Sequence, residues 1–261
     1  MAEIIECKKM NVEKIFKESF SFCKTNATFF WKYTLLNLFL VAFSKFALGG
    51  VSNALFLVWL VIYYVFWSIF FRDIFNQTPC YKRDCIFNSF VPSTRVFLIT
   101  FSVMFLLAFL PMLPMLLAFI PNLPVDVTNF IDRYSLFLKE YMEDSDVMDL
   151  FLSFVFIFVA PLVFYRPFFA WISSVLGRSG LIVVAYKKTE NNYWQFFIAG
   201  LIMNLSYVIL KNLAEYVGSF SADADVSKAI SSLVLVIISS PFIVYFNVFI
   251  AKAYEFFFVE K

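Results

Sequence analysis

Three polar side chains fall inside long apolar stretches of the sequence and are the best placed to carry chemistry: Asn37, Arg166 and Asn204. In a membrane, a side-chain amide must hydrogen-bond to a neighbouring helix or to a polar solute. We interpret the two asparagines as contacts between helices, with a polar substrate path as the alternative. Arg166 lies toward one end of its stretch, in APLVFYRPFFAW. This position favours a guanidinium that extends to lipid headgroups; the alternative is that it binds an anionic lipid or solute.

Residue types that commonly carry catalysis or bind metals are scarce. The 261 residues contain no histidine, which is the usual general base near neutral pH and the commonest metal ligand. Cys80 and Cys85 are spaced too loosely for a compact zinc site, and no second cysteine cluster accompanies them. The acidic stretch 140–149 lacks the central glycine and closing glutamate of a calcium loop. The sequence therefore predicts a protein that is not an enzyme and that binds no cofactor or metal.

Six long apolar stretches, separated by charged connectors, would position these side chains. Each stretch is long enough to cross about 30 Å of hydrocarbon as a helix. The composition agrees, since 62% of the residues are hydrophobic and only 15% are charged. We predict an all-α membrane bundle forming a single domain over residues 1–261, with prolines that bend its fourth and sixth helices. The predicted spans are at about 29–48, 51–71, 96–120, 148–171, 193–212 and 230–254.

Lysine and arginine are concentrated in alternate connectors, which predicts the orientation of the chain in the membrane. The N-terminal segment has five lysines, and the connectors 72–95 and 172–192 have four and three basic residues. The connectors between them have at most two each. We therefore expect a multi-pass protein of the cell (inner) membrane with both termini in the cytoplasm. Residues 1–28 lack the apolar core of a cleavable signal peptide, so the first span is expected to direct insertion.

Two further segments have the pattern of amphipathic helices. In residues 12–24, apolar side chains recur on one helical face and charged side chains fill the other. Residues 128–142 repeat this pattern on the predicted outer side. We expect the first helix to lie on anionic lipid at the cytoplasmic face. The second is expected to lie on the outer leaflet, or alternatively to cover a cavity between the spans.

Three segments resemble parts of known membrane families: VEKIFKESFSFCKTNATFFWKYTLL, FLLAFLPMLPMLLAFIP and FAWISSVLGRSGLIVVAYKKTENNYWQFF. They are similar to a basic helix before a first span, a proline-terminated third span and the re-entry toward a fifth span. The families are uncharacterised bacterial six-span proteins, including the YciC type and the membrane domain attached to some glycerophosphodiester phosphodiesterases. The resemblance implies six spans and transfers no catalytic residues. Because the soluble phosphodiesterase barrel is not among these residues, that activity is not implied.

These observations favour a non-enzymatic scaffold or accessory component of the membrane. Its expected partners are the lipid bilayer and anionic lipid at the cytoplasmic face, and no nucleic acid is expected to bind. The alternative is a transporter or channel for a small solute or lipid, in which Asn37, Arg166 and Asn204 would converge on one cavity. The sequence identifies neither a substrate nor a protein partner.

Overall fold

A computed structural model of the protein describes residues 9–47, 53–76, 94–96, 98–99, 102, 165–178, 182–221 and 223–259. These residues are helical apart from short turns, and no strand occurs among them. The all-helical prediction is therefore confirmed for this part of the chain. In chain order the helices are α1 (Val12–Thr25), α2 (Ala27–Ala47), α3 (Asn53–Asn76), α4 (Tyr165–Val175), α5 (Ile182–Lys188), α6 (Tyr193–Gly218) and α7 (Ala224–Phe258).

Helices α2, α3, α6 and α7 are long and apolar enough to cross a membrane, and they match the predicted first, second, fifth and sixth spans. In each candidate span fewer than half of the residues are buried, at most 44%. Large apolar side chains, including Phe39, Val61 and Ile209, are exposed on these helices. Such surfaces suit a surrounding of lipid and suggest that the protein is embedded in a membrane.

The remaining predicted elements are described in part or not at all. Of the predicted third span, 96–120, the structure describes residues 96, 98, 99 and 102, which are helical. Of the fourth, 148–171, it describes residues 165–171, which belong to α4. The predicted outer helix 128–142 lies outside the described residues.

Contacts between distant residues show which helix ends meet. Tyr33, near the start of α2, donates a hydrogen bond to Asp73, near the end of α3. The ring of Phe75, also near the end of α3, lies 5.3 Å from that of Tyr254, near the end of α7. The start of α2, the end of α3 and the end of α7 therefore meet at one end of the bundle. Helix α1 packs there, and we call this the α1 end.

Helix α1 begins where Asn11 accepts a hydrogen bond at Oδ1 from the backbone N–H of Lys14, 3.0 Å away. The helix predicted at 12–24 is thus confirmed, but its apolar face lies mainly against protein. Phe16 packs on Phe249 of α7 with ring centroids 4.5 Å apart, and its carbonyl accepts a hydrogen bond from Tyr245. Of the apolar face predicted to lie on lipid, which is formed by Val12, Ile15, Phe16, Phe20 and Cys23, only Phe20 is exposed.

The segment 172–192, predicted as a connector, contains the end of α4 and all of α5. Gly177 ends α4 because it adopts a positive φ of 73°, which costs glycine little. Its N–H donates to the Ser174 carbonyl, and the Arg178 N–H donates to the Ser173 carbonyl at 2.8 Å. This pair of bonds is a Schellman motif, which satisfies the last carbonyls of the helix. The stretch therefore folds back as two short helices.

Helix α7 is longer than the predicted sixth span, 230–254. Its 35 residues extend about 52 Å at 1.5 Å per residue, well beyond one hydrocarbon thickness. Asp223 caps the start by accepting from two backbone N–H groups, and Pro241 lies inside the helix without ending it. The extra turns near Phe258 lie at the α1 end, where they build one wall of the site described next.

Tryptophans divide into two groups around the α1 end. Trp31 and Trp194 are exposed on the first turns of α2 and α6, as expected for residues at a membrane interface. Trp67 and Trp171 are buried in the bundle. Trp171 packs edge-on against Phe71 at 5.5 Å, within an aromatic core that joins α3 and α4.

Candidate functional site

A polar cleft of about 560 Å³ opens between α1 and the last turns of α7. The α1 wall is formed by residues spaced three or four apart, which places them on one face of that helix. The α7 wall has the same spacing, so two polar helix faces oppose each other. The lining residues are Lys14, Glu18, Ser21, Phe22, Thr25, Asn26, Lys252, Glu255, Phe256 and Val259.

Charged side chains on each wall are paired within their own helix. On α7, the Lys252 Nζ lies 2.7 Å from a carboxylate oxygen of Glu255, and the side chains are only 19% and 22% exposed. The Lys252 ammonium also lies 5.1 Å from the centre of the Phe22 ring, a cation–π contact to α1. On α1, Lys14 and Glu18 lie 3.9 Å apart and are 65% and 42% exposed. The α7 pair is therefore the better shielded from water.

A second cleft of about 260 Å³ shares part of this lining, including Phe22 and Lys252. It is also lined by the apolar residues Ile74 and Phe75 of α3 and Ala251 of α7. The second cleft thus continues the polar cleft toward α3, where Ile74 and Phe75 add apolar side chains beside the charged pair Lys252 and Glu255. A ligand with a charged head could place an adjoining apolar part against these two side chains.

A polar contact beside these clefts joins α2 to α3. The buried Tyr33 hydroxyl donates to the Asp73 carboxylate, and the Lys32 ammonium lies 3.4 Å from the same oxygen. Asp73 thus contacts two residues of the neighbouring helix. The contact holds the start of α2 against the end of α3.

Asn37 is fully buried on α2, where its Oδ1 accepts a hydrogen bond from the Tyr63 hydroxyl of α3 at 3.4 Å. This is the contact between helices that the sequence favours. The Asn37 Nδ2 has no hydrogen-bond partner among the described residues, and neither has the buried hydroxyl of Thr34 one turn earlier. One face of α2 therefore carries two buried polar groups without partners in the described part of the chain.

Arg166 and Asn204 lie in other surroundings. The Arg166 guanidinium lies 5.1 Å from the centre of the Tyr186 ring, which joins α4 to α5. Asn204 is half-buried on α6. Neither of the two clefts is lined by Asn37, Arg166 or Asn204, so their convergence on one cavity remains a prediction.

Burial raises the pKa of the Cys23 thiol on α1 to about 11. The thiol therefore stays protonated near neutral pH, which suits a structural role rather than a reactive one. On the exposed face of α1, the hydrogen bond and charge of Lys17 lower the pKa of the Glu13 carboxyl. Across the described ranges, no group of three or more histidine, cysteine, aspartate or glutamate side chains is arranged to hold a metal ion.

The polar cleft is not predicted from the sequence, although part of its lining shows a recognisable pattern. Lys14, Glu18 and Ser21 recur at helical spacing, and Lys252 and Glu255 interrupt an apolar stretch three residues apart. What the pattern could not supply is that α1 and the end of α7 are neighbours. No protein-family model matches the chain, and comparisons with curated proteins and with solved structures found no match.

Proposed function

We propose that the protein is a non-enzymatic scaffold or accessory component of the cell (inner) membrane, with six spans and both termini in the cytoplasm. One observation carries this proposal: four long helices expose apolar side chains, while buried polar side chains contact each other across helices. Tyr63 bonds to Asn37 between α2 and α3, and Ser173 bonds to Tyr254 at 2.9 Å between α4 and α7. These contacts support a sealed bundle, because each one satisfies polar groups within the protein.

The distribution of charge supports the proposed orientation. Exposed lysines, including Lys17 and Lys24 of α1, cluster at the α1 end. The short turn between α6 and α7, at the opposite end, begins with Ser219 and ends at the acidic cap Asp223. Because basic residues favour the cytoplasmic side, the α1 end is assigned to the cytoplasm.

A transporter or channel is the second candidate, and one observation favours it. Asn37 Nδ2 and the Thr34 hydroxyl are buried polar groups without partners among the described residues. A passing polar solute would supply the missing hydrogen bonds, whereas a closed bundle leaves them unsatisfied.

Accessibility to water distinguishes these two functions. Single cysteines replace Asn37, Arg166 and Asn204 in a cysteine-free background, and intact cells are treated with a membrane-impermeant thiol reagent. A cysteine within 126–147, the predicted outer connector, is the positive control. The scaffold predicts no labelling at all three positions while the control is labelled. Labelling at two or more of them would instead support a water-filled path.

Replacing Arg166 with leucine provides a second test of the same choice. A scaffold loses the contact between Arg166 and Tyr186, and its abundance in the membrane should stay near that of the wild type. A transporter that binds an anionic solute through Arg166 would lose uptake at unchanged abundance. Quantitative blotting of the membrane fraction measures the abundance, and vesicle assays measure the uptake.

A further inference from the structure

The polar cleft between α1 and α7 is lined by equal numbers of positive and negative side chains. Lys14 and Lys252 supply two ammonium groups, and Glu18 and Glu255 supply two carboxylates. The lining as a whole therefore has no net charge, although the α1 end is rich in lysine. Hydroxyl and amide groups complete its polar part, from Ser21, Thr25 and Asn26.

A simple anion fits this lining poorly. The Lys252 ammonium is already paired with Glu255 at 2.7 Å, and both side chains are mostly shielded from water. An anion that displaced the Glu255 carboxylate would leave it unpaired beside a like charge, which is costly in a partly buried site. A simple cation at Glu255 would likewise leave the Lys252 ammonium unpaired beside a like charge.

A zwitterion avoids both costs. If one molecule carries both a phosphate and a primary ammonium, the phosphate can pair with the cleft lysines in place of the glutamates. The ammonium can pair with the cleft glutamates in place of the lysines. Every charged group in the cleft then keeps a partner of opposite charge. Charge-assisted hydrogen bonds of this kind are short and are stronger than neutral ones. The cleft volume, about 560 Å³, lies within the range of small-molecule sites.

We propose that the polar cleft binds a phosphoethanolamine group, with its phosphate at Lys14 and Lys252 and its ammonium at Glu18 and Glu255. Phosphoethanolamine occurs as a lipid headgroup and in soluble glycerophosphoethanolamine, and both present the same charges. Binding of the lipid rests on the proposed membrane location, which sets the α1 end, and with it the cleft, at headgroup depth. The side chains of Ile74 and Phe75 in the second cleft then contact the start of the acyl chains.

The test compares ligands that share acyl chains and differ in headgroup. The purified full chain in detergent is titrated with dihexanoyl phosphatidylethanolamine, phosphatidylcholine and phosphatidylglycerol, and with soluble glycerophosphoethanolamine. The midpoint of thermal unfolding reports saturable binding. We expect phosphatidylethanolamine to half-saturate at about tenfold lower concentration than the other two lipids, the factor for losing one charged hydrogen bond. If glycerophosphoethanolamine shifts the midpoint as much as phosphatidylethanolamine does, the ligand of this site is a soluble molecule. If it shifts the midpoint little or not at all, the ligand is the lipid.

Matched pair replacements locate the binding. The double variant Lys252→Met/Glu255→Gln removes the α7 pair at constant net charge, and it should abolish the preference for phosphatidylethanolamine. Lys14→Met/Glu18→Gln removes the exposed α1 pair and should weaken the preference even if the first variant folds poorly. The control Lys17→Met/Glu13→Gln removes another α1 pair, 2.6 Å apart, that does not line the cleft. The control should keep the full preference.

Three results would overturn phosphoethanolamine binding at this cleft. They are equal responses to all three lipids, stronger binding of phosphatidylglycerol, and a preference that survives in both cleft variants. Extraction of cell membranes with alkaline carbonate is run in parallel. A chain that stays in the membrane pellet but shows no headgroup preference contradicts only the ligand. A chain released into the supernatant contradicts the proposed membrane function itself.

Discussion

Tyr63 on α3 donates a hydrogen bond to the side-chain oxygen of Asn37 on α2, while the amide nitrogen of Asn37 has no partner among the described residues. The contact joins two candidate membrane spans. Within the described part of the chain, the contact satisfies the amide oxygen and leaves the amide nitrogen as a buried donor without a partner. Asn37 therefore supports specific pairing of α2 with α3 at a cost in stability.

Replacing Tyr63 with phenylalanine should destabilise the protein by about 0.6 kcal/mol, a typical value for a hydrogen bond between membrane helices. In an Asn37→Leu background the same change should cost nothing, because the acceptor is already gone. Asn37→Leu alone removes the Nδ2 donor but also leaves the Tyr63 hydroxyl without its acceptor, so the double variant should be more stable than Asn37→Leu or equally stable. Unfolding in mixed detergent micelles measures the free energy of unfolding of the wild type, the two single variants and the double variant, which together form a double-mutant cycle. An equal cost for Tyr63→Phe in both backgrounds would show that the two side chains are not coupled; the exposed Tyr207→Phe is the control.

Gly218, the last residue of α6, allows α6 and α7 to approach closely. A Cβ atom at this position would lie 1.9 Å from the Ser231 hydroxyl oxygen and 2.6 Å from the Ser227 carbonyl oxygen. Because the second atom belongs to the backbone, rotation of a side chain cannot relieve the clash. We expect Gly218→Ala to destabilise the protein by about 1–3 kcal/mol, as overpacking does.

The midpoint of thermal unfolding in detergent measures this loss. The exposed Lys211→Ala on the same helix is the control and should change stability by less than about 0.5 kcal/mol. A Gly218→Ala variant as stable as the wild type would mean that the ends of α6 and α7 are farther apart than described.

Cys23 should react slowly with maleimide in the folded protein, because burial raises its pKa to about 11. A thiol with an ordinary pKa near 8.5 would have about two orders of magnitude more thiolate at pH 8. The rate at Cys23 should therefore rise with pH up to about 11. The comparison is Lys24→Cys in a Cys23→Ser background, which moves the thiol to the adjacent exposed position. Equal rates at the two positions at pH 8 would contradict the burial of Cys23.

In this fold, sequence patterns predict where a helix lies in the chain better than they predict which other helix it packs against. The apolar spacing in 12–24 predicts α1 within one residue of its observed end at Thr25. It does not reveal that Phe16 packs against Tyr245, since the two residues are 229 positions apart in the chain. Because the local pattern does not record what covers an apolar face, a face that packs on protein has the same sequence pattern as one that lies on lipid.

Short helices inside apolar stretches are harder to predict. Helix α5 is not predicted, because its seven residues are too few to show a helical period and lie in a segment that its basic residues mark as a connector. From the sequence alone, Gly177 is equally compatible with close helix contact, whereas its positive φ ends α4. On α7, the sequence shows Lys252 and Glu255 only as a local pair three residues apart. Its role depends on α1 lying opposite, which no local pattern records.

The central claim is that the helices cross a membrane with the α1 end in the cytoplasm. Single cysteines at Lys17 on α1 and at Phe220 in the α6–α7 turn test it directly, because both positions are exposed and lie at opposite ends of the bundle. Intact cells are treated with a membrane-impermeant maleimide before and after permeabilisation. We predict that Phe220→Cys is labelled in intact cells and that Lys17→Cys is labelled only after permeabilisation. The reverse pattern would contradict the proposed orientation, and labelling of both positions in intact cells would contradict the placement of the α1 end in the cytoplasm.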